Sequence, residues 1–443
     1  CLGVCKCDVE VGLVDCSYQD LDEIPDVIPD DVITLNLNGN KIQSIRRSDL
    51  SKKFRLESLY MSDNKISVIS PGSFDNLFEL EDLDLSGNLM TSFSTRDFYQ
   101  VRNITKLLLS SCMLQDIENV TFSQMVILSE LDLNTNKIQH LKEEWFESLR
   151  NLESLRLDSN WITSWDTKVF YSLRNLKFLD LSKNAINSLD TEMFTGLVSL
   201  ERLLLNENSI TVIPTGVFDT IPSIQVLYIP HNRIENLPPN CLQNLSHLTT
   251  FDLEDGQISS VGETAFAGLP NLRTLRMAGN KIQEISLSAF QSPRHISLVA
   301  TLDLNDNQLT EVPVSALQNM THLSALYLSK NPITSLQDSI FRCFPNLRVV
   351  IMNNCELTQI PFNLLHDLEN LKTLNLDANK IPLIHQTSFP QHNTLTEVSL
   401  YGNPWLCNCS VYPYQQWLLD GAGGLQPYTL TTVCDDPIFY KGE

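Results

Sequence analysis

The chain has 443 residues, and its 31 lysines and arginines against 53 aspartates and glutamates give a formal net charge of −22. A nucleic acid would therefore meet repulsion in place of counterion release, so nucleic acid is not an expected partner. The hydrophobic share of 42% is that of a folded protein. No apolar run reaches the roughly 20 residues of a membrane span, so we expect no membrane contact by this segment itself.

The cysteines concentrate at the two ends of the chain. The chain begins at Cys1 without a methionine or an apolar leader, as a secreted chain does after its signal peptide is removed. Dense terminal clusters favour disulfide-closed caps in an oxidising compartment. The alternative is a zinc site at the N-terminal cluster, which fits less well because the spacing lacks the loop that zinc ribbons use. The seven terminal cysteines are Cys1, Cys5, Cys7, Cys16, Cys407, Cys409 and Cys434.

A repeat with the template LxxLxLxxN runs through the chain, as in residues 80–88 and 128–136. It gives sixteen units, spaced by 24 residues except for one step of 27 between Asn280 and Asn307. The LxL part has the two-residue alternation of a strand, and a single unit cannot bury its own apolar face. The sequence therefore predicts one solenoid of the α/β repeat type with a parallel sheet along one side, not three globular domains.

The last template position predicts a ladder of buried asparagines, because an amide side chain can satisfy backbone groups of its own turn and of the next. Cys112 and Cys355 replace the asparagine with a small side chain that has a weak S–H donor. Gly256 supplies no side chain, so we expect it to break the ladder. The three extra residues of the long step are expected in the return segment after Phe290, outside the sheet.

The repeats and the terminal cysteines together resemble the leucine-rich repeat family in its 24-residue extracellular type. Relatives with caps at both ends include the variable lymphocyte receptors, Slit and the Toll-like receptor ectodomains, and we favour a variable-lymphocyte-receptor-like protein. The resemblance implies a right-handed horseshoe with a concave parallel sheet that binds protein or glycan ligands. It also implies an N-terminal cap at residues 1–31, sixteen repeats at 32–403 and a C-terminal cap at 404–443.

The same resemblance implies three disulfides, which join Cys1 to Cys7, Cys5 to Cys16 and Cys407 to Cys434. The family's C-terminal cap has a fourth cysteine, and we expect that the chain ends before it and leaves Cys409 without its partner. Cysteines that lie several layers apart in a solenoid are beyond the reach of a disulfide. We therefore expect four reduced thiols, at Cys112, Cys241, Cys343 and Cys355.

No catalytic motif stands out, since HExxH, GxSxG and GxGxxG are all missing from the sequence. The eight histidines are dispersed over different units. Paired acids such as Asp82 and Asp84 recur because the template exposes those positions, which makes general acid–base catalysis a weak explanation. We expect no enzyme activity, no cofactor and no metal.

The concave face is the candidate binding site, because residues at −6, −4 and −2 from each template asparagine point out of the sheet. Exposed apolar residues there have the composition of interface anchors, although scattered surface apolars are a plain alternative. The predicted ligand-binding residues are Phe178, Asp180, Arg202, Leu204, Val226 and Tyr228, with a second cluster of Tyr327, Val349 and Ile351.

The charges of the same three columns favour a protein ligand with a basic or neutral patch, because eleven acids and four bases give a net charge of −7. The acids are Asp82, Asp84, Glu130, Asp132, Asp158, Asp180, Asp252, Glu254, Asp303, Asp377 and Glu397, and the bases are Lys106, Arg156, Arg202 and Arg276.

The leading hypothesis is an extracellular recognition module, secreted or at the cell surface, that acts as an immune-type or adhesion receptor. The alternative is a matrix scaffold that self-associates or binds other matrix proteins, which leaves a homodimer open. N-glycosylation is expected on return segments and would leave the concave face bare. Its predicted sites are Asn103, Asn119, Asn244 and Asn319.

Overall fold

The computed structural model describes residues 3–290, 298–362, 364–366, 368–383 and 394–406, together with the backbone of 434–436. The chain divides into two compact units. The first unit comprises Cys1–Ser209 and Val217–Ile224, and the second comprises Ile210–Gly216 and Gln225–Glu443. The predicted C-terminal cysteine cap lies almost wholly outside the described residues.

The first unit is a solenoid with one main parallel sheet. An antiparallel pair, Lys6–Asp8 and Leu13–Asp15, begins the sheet, and Leu13–Asp15 then pairs in parallel with the first repeat strand. Each later strand pairs in parallel and in register with its neighbour. The repeat strands are Thr34–Asn36, Ser58–Tyr60, Asp82–Asp84, Lys106–Leu108, Glu130–Asp132, Ser154–Arg156, Phe178–Asp180 and Arg202–Leu204.

The second unit has the same construction. Its strands also pair in parallel and in register, including the pair that flanks the 27-residue step. The repeat strands are Val226–Tyr228, Thr250–Asp252, Thr274–Arg276, Thr301–Asp303, Ala325–Tyr327, Val349–Ile351, Thr373–Asn375 and Glu397–Ser399. A further parallel pair joins Trp405–Leu406 to Cys434–Asp436.

Short second strands follow some of the repeat strands on the return side. In the first unit they pair as Ser44–Ile45 with Val68–Ile69, Ser92–Phe93 with Asp116–Ile117, and His140–Leu141 with Ser164–Trp165. In the second unit Asn236–Leu237, Ser260–Val261 and Glu284–Ile285 form a three-stranded sheet.

Helices are few in the described part of the chain: two α-helices, Arg47–Leu50 and Val314–Leu317, and one 3₁₀-helix, Glu143–Trp145. None of these has the length and apolar character that crossing a membrane would require. The predicted fold class is confirmed, since all sixteen predicted repeat strands are present in parallel-strand solenoids with little helix.

The core of each turn consists of the template leucines and a phenylalanine from the return segment. The central leucine of a strand, such as Leu59 or Leu155, is fully buried. Phenylalanines of successive turns stack on one another, as Phe74 and Phe98 do with ring centroids 5.9 Å apart. Each turn therefore buries its apolar side chains against its neighbours, as a solenoid requires.

The asparagine ladder predicted from the template is confirmed. Asn160 donates from Nδ2 to the carbonyl oxygens of Leu157 and Leu133, at 3.1 and 3.0 Å. Its Oδ1 accepts the backbone N–H of Ile138 at 3.0 Å. One buried side chain thus satisfies backbone groups of two turns, where no strand partner is present.

The exceptions to the ladder behave as their chemistry dictates. The thiols of Cys112 and Cys355 donate to Leu85 and Leu328 oxygens at 3.2 and 3.3 Å. Burial raises the pKa of Cys112 to about 12, so the donor proton stays in place. Gly256 leaves a missing rung, and a Cβ there would lie 2.6 Å from Asn280 Oδ1.

The ladder also passes across the long step. Asn307 Nδ2 donates to the Met277 oxygen at 2.9 Å although the two residues are 30 apart in sequence. The sheet register is therefore unbroken, and the three extra residues lie between the strands Thr274–Arg276 and Thr301–Asp303. Residues 291–297, where the sequence places the extra residues, lie outside the described ranges.

A second ladder, which sequence reasoning missed, precedes the repeat strands. Asn151 and Asn175 donate from Nδ2 to the Val126 and Arg150 oxygens of the preceding turn, at 2.8 and 2.9 Å. Asn271, Asn346 and Asn370 make equivalent hydrogen bonds in the second unit. A recurrent Asn-Leu pair just before the strand was the available signal.

One disulfide can be described in full, between Cys5 and Cys16, the pair that the resemblance implies. Cys7 is disulfide-bonded as well, whereas Cys1, its predicted partner, lies outside the described residues, as do Cys407 and Cys409 and the side chain of Cys434. The thiols expected to stay reduced are free: Cys112, Cys241, Cys343 and Cys355.

The ladder predicts a large cost for a small deletion. Asn160→Ala leaves the buried Ile138 N–H without its acceptor and removes one of the two asparagine donors from each of the Leu133 and Leu157 oxygens, so we expect a loss of about 1–3 kcal/mol in the free energy of unfolding. Denaturant unfolding followed by circular dichroism measures the loss. Asn206→Ala, at a half-buried position of the same unit, is the control. Equal effects of the two substitutions would contradict the structural role of the ladder.

Candidate ligand-binding face

The open face is defined here as the side of each repeat sheet that carries the first and third residues of every strand. The middle residue is buried in the core and its two neighbours point away from it. The predicted site residues lie on this face in both units. Phe178, Asp180, Arg202 and Leu204 belong to the first unit, and Val226, Tyr228, Tyr327, Val349 and Ile351 belong to the second.

Phe178 lies between two arginines on the open face of the first unit. The Arg156 and Arg202 guanidinium carbons are 5.7 and 5.6 Å from the centroid of its ring. Both distances are within the range of a cation–π contact. The arginines thus cover an aromatic side chain that the sequence placed in water, and Arg156 is a member of the site that sequence reasoning did not select.

The apolar site residues are half-buried, which corrects the expectation that they are exposed. Phe178, Leu204, Tyr228, Tyr327 and Ile351 all have intermediate accessibility, and of the predicted site residues only Arg202 is exposed. Parallel strands lie about 4.8 Å apart, so side chains of one column cover the flanks of the next. The area that a ligand could still cover on each of them is smaller than the sequence suggested.

Aspartates at the third strand position have a structural role besides their charge. Asp180 Oδ1 accepts the N–H of Ser182 at 2.9 Å, and Asp132 Oδ1 accepts the N–H of Asn134 at 2.9 Å. Such bonds close the turn that leaves the strand. The predicted charge of −7 therefore includes carboxylates that are partly occupied by the protein's own backbone.

The carboxylates of the first unit are also crowded. Burial raises the pKa of Asp158, and the nearby negative charge of Asp180 raises it further. Burial raises the pKa of Asp132 as well, against the opposing effect of Arg156. Two carboxylates and the two arginines that cover Phe178 therefore share a small area of partly desolvated surface.

The second unit has an in-register row of third-position residues across six neighbouring strands. Tyrosines lie near both ends, and charged residues lie between them. A chain of adjacent strands places these side chains side by side, about 4.8 Å per step. We call it the tyrosine row, and its members are Tyr228, Asp252, Arg276, Asp303, Tyr327 and Ile351.

The acids of the tyrosine row outnumber its single base. Arg276 Nη1 lies 3.6 Å from Asp252 Oδ2, and Asp252 is only 3% exposed. The prediction that Asp252 points into solvent is therefore wrong, because its carboxylate faces Arg276 and accepts the N–H of Glu254 at 3.0 Å. Burial raises the pKa of Asp252 and of Asp303, and Arg276 offsets this only in part.

Glu254 borders the tyrosine row and is the most strongly perturbed carboxyl group of this face. Burial, followed by the negative charges of Asp252 and Asp303, raises its pKa to about 7. Three carboxylates are thus within the electrostatic influence of one guanidinium, and burial penalises their charge. A cationic group delivered by a ligand would relieve that penalty.

The titratable side chains of the described residues can also be compared with the donor sets of metal sites. In the described ranges, no group of three or more histidine, cysteine, aspartate and glutamate side chains has a geometry that could hold a metal ion. Acids of the open face accept hydrogen bonds from backbone N–H groups, as Asp132 and Asp180 do, and from a hydroxyl, as Asp377 does from Ser399.

A short strand that recurs in every turn, with its middle residue buried in the core, defines a repeat solenoid. Six matches to a leucine rich repeat family model cover residues 54–114, 102–162, 150–210, 199–255, 246–299 and 297–357. These matches span more than half of the chain, and the chain belongs to the leucine-rich repeat family. A comparison with curated proteins finds no match.

Solved structures show the same fold at low sequence identity. A leucine-rich repeat protein of Leptospira interrogans is 24% identical, with a TM-score of 0.72 over 93% of this chain and 94% of that one. A chain of the Drosophila Toll–Spatzle complex is 20% identical, with a TM-score of 0.75 over 94% of this chain and 60% of that one.

A plant example is the ectodomain of the Arabidopsis thaliana receptor kinase GASSHO1/SCHENGEN3, solved in complex with CASPARIAN STRIP INTEGRITY FACTOR 2. It is 20% identical, with a TM-score of 0.56 over 84% of this chain and 47% of that one. The chain thus spans less than two thirds of the Drosophila and Arabidopsis chains that it resembles.

Glu254 predicts a pH-dependent stability. Because its folded pKa is raised, the folded protein binds this proton more tightly than the unfolded chain between the ordinary value of 4.5 and about 7. The free energy of unfolding therefore falls as pH rises through this window. Glu254→Gln lacks this component, so its Tm relative to the wild type should increase from about pH 5 to about pH 8.

Thermal melts of both proteins at the two pH values measure this effect. Glu235→Gln, at an exposed position of the same unit, is the matched control and should follow the wild type. If the Tm difference between Glu254→Gln and the wild type is the same at both pH values, the pKa of Glu254 is not raised in the folded protein.

Proposed function

We propose that the chain is an extracellular recognition module that binds a protein ligand on the open face of its second unit. The tyrosine row is the observation that carries the proposal. Its two tyrosines are half-buried and already ordered, and aromatic residues of this kind dominate the energetics of interfaces. Three carboxylates beside a single arginine favour a ligand with a basic patch.

The second predicted cluster extends the tyrosine row on one side. Val349 and Ile351 lie on the strand next to Tyr327, in register with it, and Val226 lies on the strand of Tyr228. The apolar groups near the two ends of the tyrosine row would each hold an apolar part of the ligand. The charged residues between them would fix its orientation. We assign the two tyrosines as anchors and the acids as the groups that select a cationic side chain.

In the first unit, Phe178 with Arg202, Asp180 and Leu204 remains a proposed set of contacts of its own. Arginine guanidinium groups pair with carboxylates and stack on aromatic rings, so this set suits a ligand carboxylate or aromatic ring. It differs in chemistry from the tyrosine row, and the two can be tested separately.

One further observation supports an extracellular compartment. The Cys5–Cys16 disulfide fits an oxidising compartment. Toll is seen in complex with Spatzle, and the plant ectodomain with a factor that it binds. These likenesses support the fold, and the role is our inference from the open face. A variable-lymphocyte-receptor-like identity stays a prediction from the terminal cysteines.

The decisive experiment compares capture of ligand by matched variants. The immobilised wild type, Tyr228→Ala with Tyr327→Ala, and Tyr99→Ala with Tyr171→Ala are incubated with extracellular extract, and bound proteins are quantified by mass spectrometry. Tyr99 and Tyr171 are 58% and 49% exposed and lie on return segments, so the second pair controls for general aromatic stickiness.

We expect a ligand that is captured by the wild type and by the Tyr99→Ala, Tyr171→Ala variant. The Tyr228→Ala, Tyr327→Ala variant should not capture it. Each lost tyrosine should cost about 2 kcal/mol, or roughly thirtyfold in affinity. Equal capture by all three proteins would reject the open face of the second unit as the binding site. Light scattering of the purified chain addresses the scaffold alternative, since a concentration-dependent dimer would favour self-association over ligand binding.

Glycosylation provides an independent test of which surface is free. Asn103, Asn119 and Asn244 are exposed and Asn319 is half-buried, and none of them belongs to a repeat strand. We expect glycans at these sites in protein secreted from animal cells, measured by peptide mass spectrometry. Asn103 also donates to the Phe78 oxygen at 2.6 Å, a bond that one remaining amide hydrogen can keep. Four unmodified sites would contradict the prediction.

A further inference from the structure

A groove lies on the return side of the second unit, away from the repeat strands. Its larger part has a volume of about 600 Å³ and extends along residues 283–287, 309–316 and 335–343. Its smaller part, of about 380 Å³, is lined by residues near Ile360 and Leu383. Asp338 lines both parts. We call the two parts together the return groove.

The groove begins where the layer of second strands ends. Glu284–Ile285 is the last strand of the three-stranded sheet formed with Ser260–Val261 and Asn236–Leu237. At the corresponding place in the next turn, Pro313 is followed by the helix Val314–Leu317. Proline has no N–H to continue a ladder, so among the described residues Glu284–Ile285 has a strand on one side only.

Apolar side chains are exposed along the return groove. Leu287, Phe362 and Leu383 are 63%, 50% and 40% exposed. Ile285, Val312 and Ile340 lie beneath as buried lining. Large apolar residues that stand in water next to a concave surface are typical of a docking site.

The charged residues that the structure describes in the lining of the return groove are all negative. They are Glu284, Glu311 and Asp338, all three exposed, and the described lining includes no lysine or arginine. Within the described part of the chain, none of the three carboxylates takes part in a salt bridge. Elsewhere on the return side acids are commonly paired, as Asp116 is with Lys142 at 2.8 Å.

We propose that the return groove binds an extended peptide segment of a partner protein in which apolar side chains alternate with lysine or arginine. The one-sided strand Glu284–Ile285 offers backbone groups to an extended chain, and such a chain turns alternate side chains to opposite sides. The apolar set lies on the exposed leucines and Phe362, and the basic set meets the three carboxylates. This site is separate from the tyrosine row and does not depend on it.

Synthetic peptides test the proposal directly. The probe is a fluorescein-labelled peptide of three Arg-Leu repeats, compared with peptides of three Arg-Ser repeats and three Glu-Leu repeats by fluorescence anisotropy at about 150 mM salt. We expect the Arg-Leu peptide to bind at least about tenfold more tightly than either of the others, since each loses one of the two kinds of contact. If the Arg-Ser peptide bound as tightly as the Arg-Leu peptide, the groove would bind any cationic peptide, and the proposal would be overturned.

Matched variants locate the binding. The triple variant Glu284→Gln, Glu311→Gln and Asp338→Asn should weaken the Arg-Leu peptide by about tenfold or more. The control Glu147→Gln, Glu235→Gln and Glu263→Gln removes the same charge from exposed positions elsewhere and should change the affinity less than about twofold. Equal weakening by the two triples would assign the binding to the net charge of the protein and overturn the proposal.

The apolar contacts have a test of their own. Leu287→Ser with Phe362→Ser changes two exposed side chains, so the fold should persist, as a thermal melt can verify. We expect this pair also to lower the affinity for the Arg-Leu peptide by about tenfold. Unchanged affinity would contradict docking in the groove. Tyr228→Ala with Tyr327→Ala should leave peptide binding intact, which separates failure of this site from failure of the open face.

Discussion

The structure depends on how a solenoid satisfies the backbone groups of its turns. A strand of three residues has sheet partners, but in the turn that leaves it buried groups such as the Leu157 oxygen and the Ile138 N–H bond to a side chain instead. The template asparagine supplies that side chain, donating to two carbonyls and accepting one N–H. Each buried carbonyl or N–H group without a partner would cost about 1–3 kcal/mol of folding free energy. Without the asparagines this cost would recur at every turn.

The open face follows from that constraint. With the turns held in register, each strand presents two side chains at fixed positions, and neighbouring strands line them up in columns. Crowding within a column half-buries the aromatic residues and raises the pKa of carboxylates such as Glu254. The proposed binding surface is therefore ordered and partly desolvated before any ligand arrives, which would lower the entropic cost of binding.

Much of the fold could be predicted from the sequence because the repeat runs through most of the chain with a nearly constant length. The repeat strands, the asparagine ladder and the thiols at Cys112 and Cys355 follow from the template alone. The site was less predictable. Side-chain rotamers decide how residues of neighbouring turns contact one another, and a periodic pattern does not specify rotamers. Examples are the two arginines that cover Phe178 and the contact of the Asp252 carboxylate with Arg276. The return groove depends on the end of a strand layer at Pro313, a departure from the period.

Amide hydrogen exchange at the missing rung tests the central role of the ladder most directly. Ile210 and Ile258 donate their N–H groups to Asn232 and Asn280 at 3.0 Å, whereas Gly256 offers Ile234 no carboxamide. The account predicts that the Ile234 amide exchanges faster than those of Ile210 and Ile258, by at least about tenfold. Equal protection at the three positions would contradict the claim that the asparagine side chains hold the turns together.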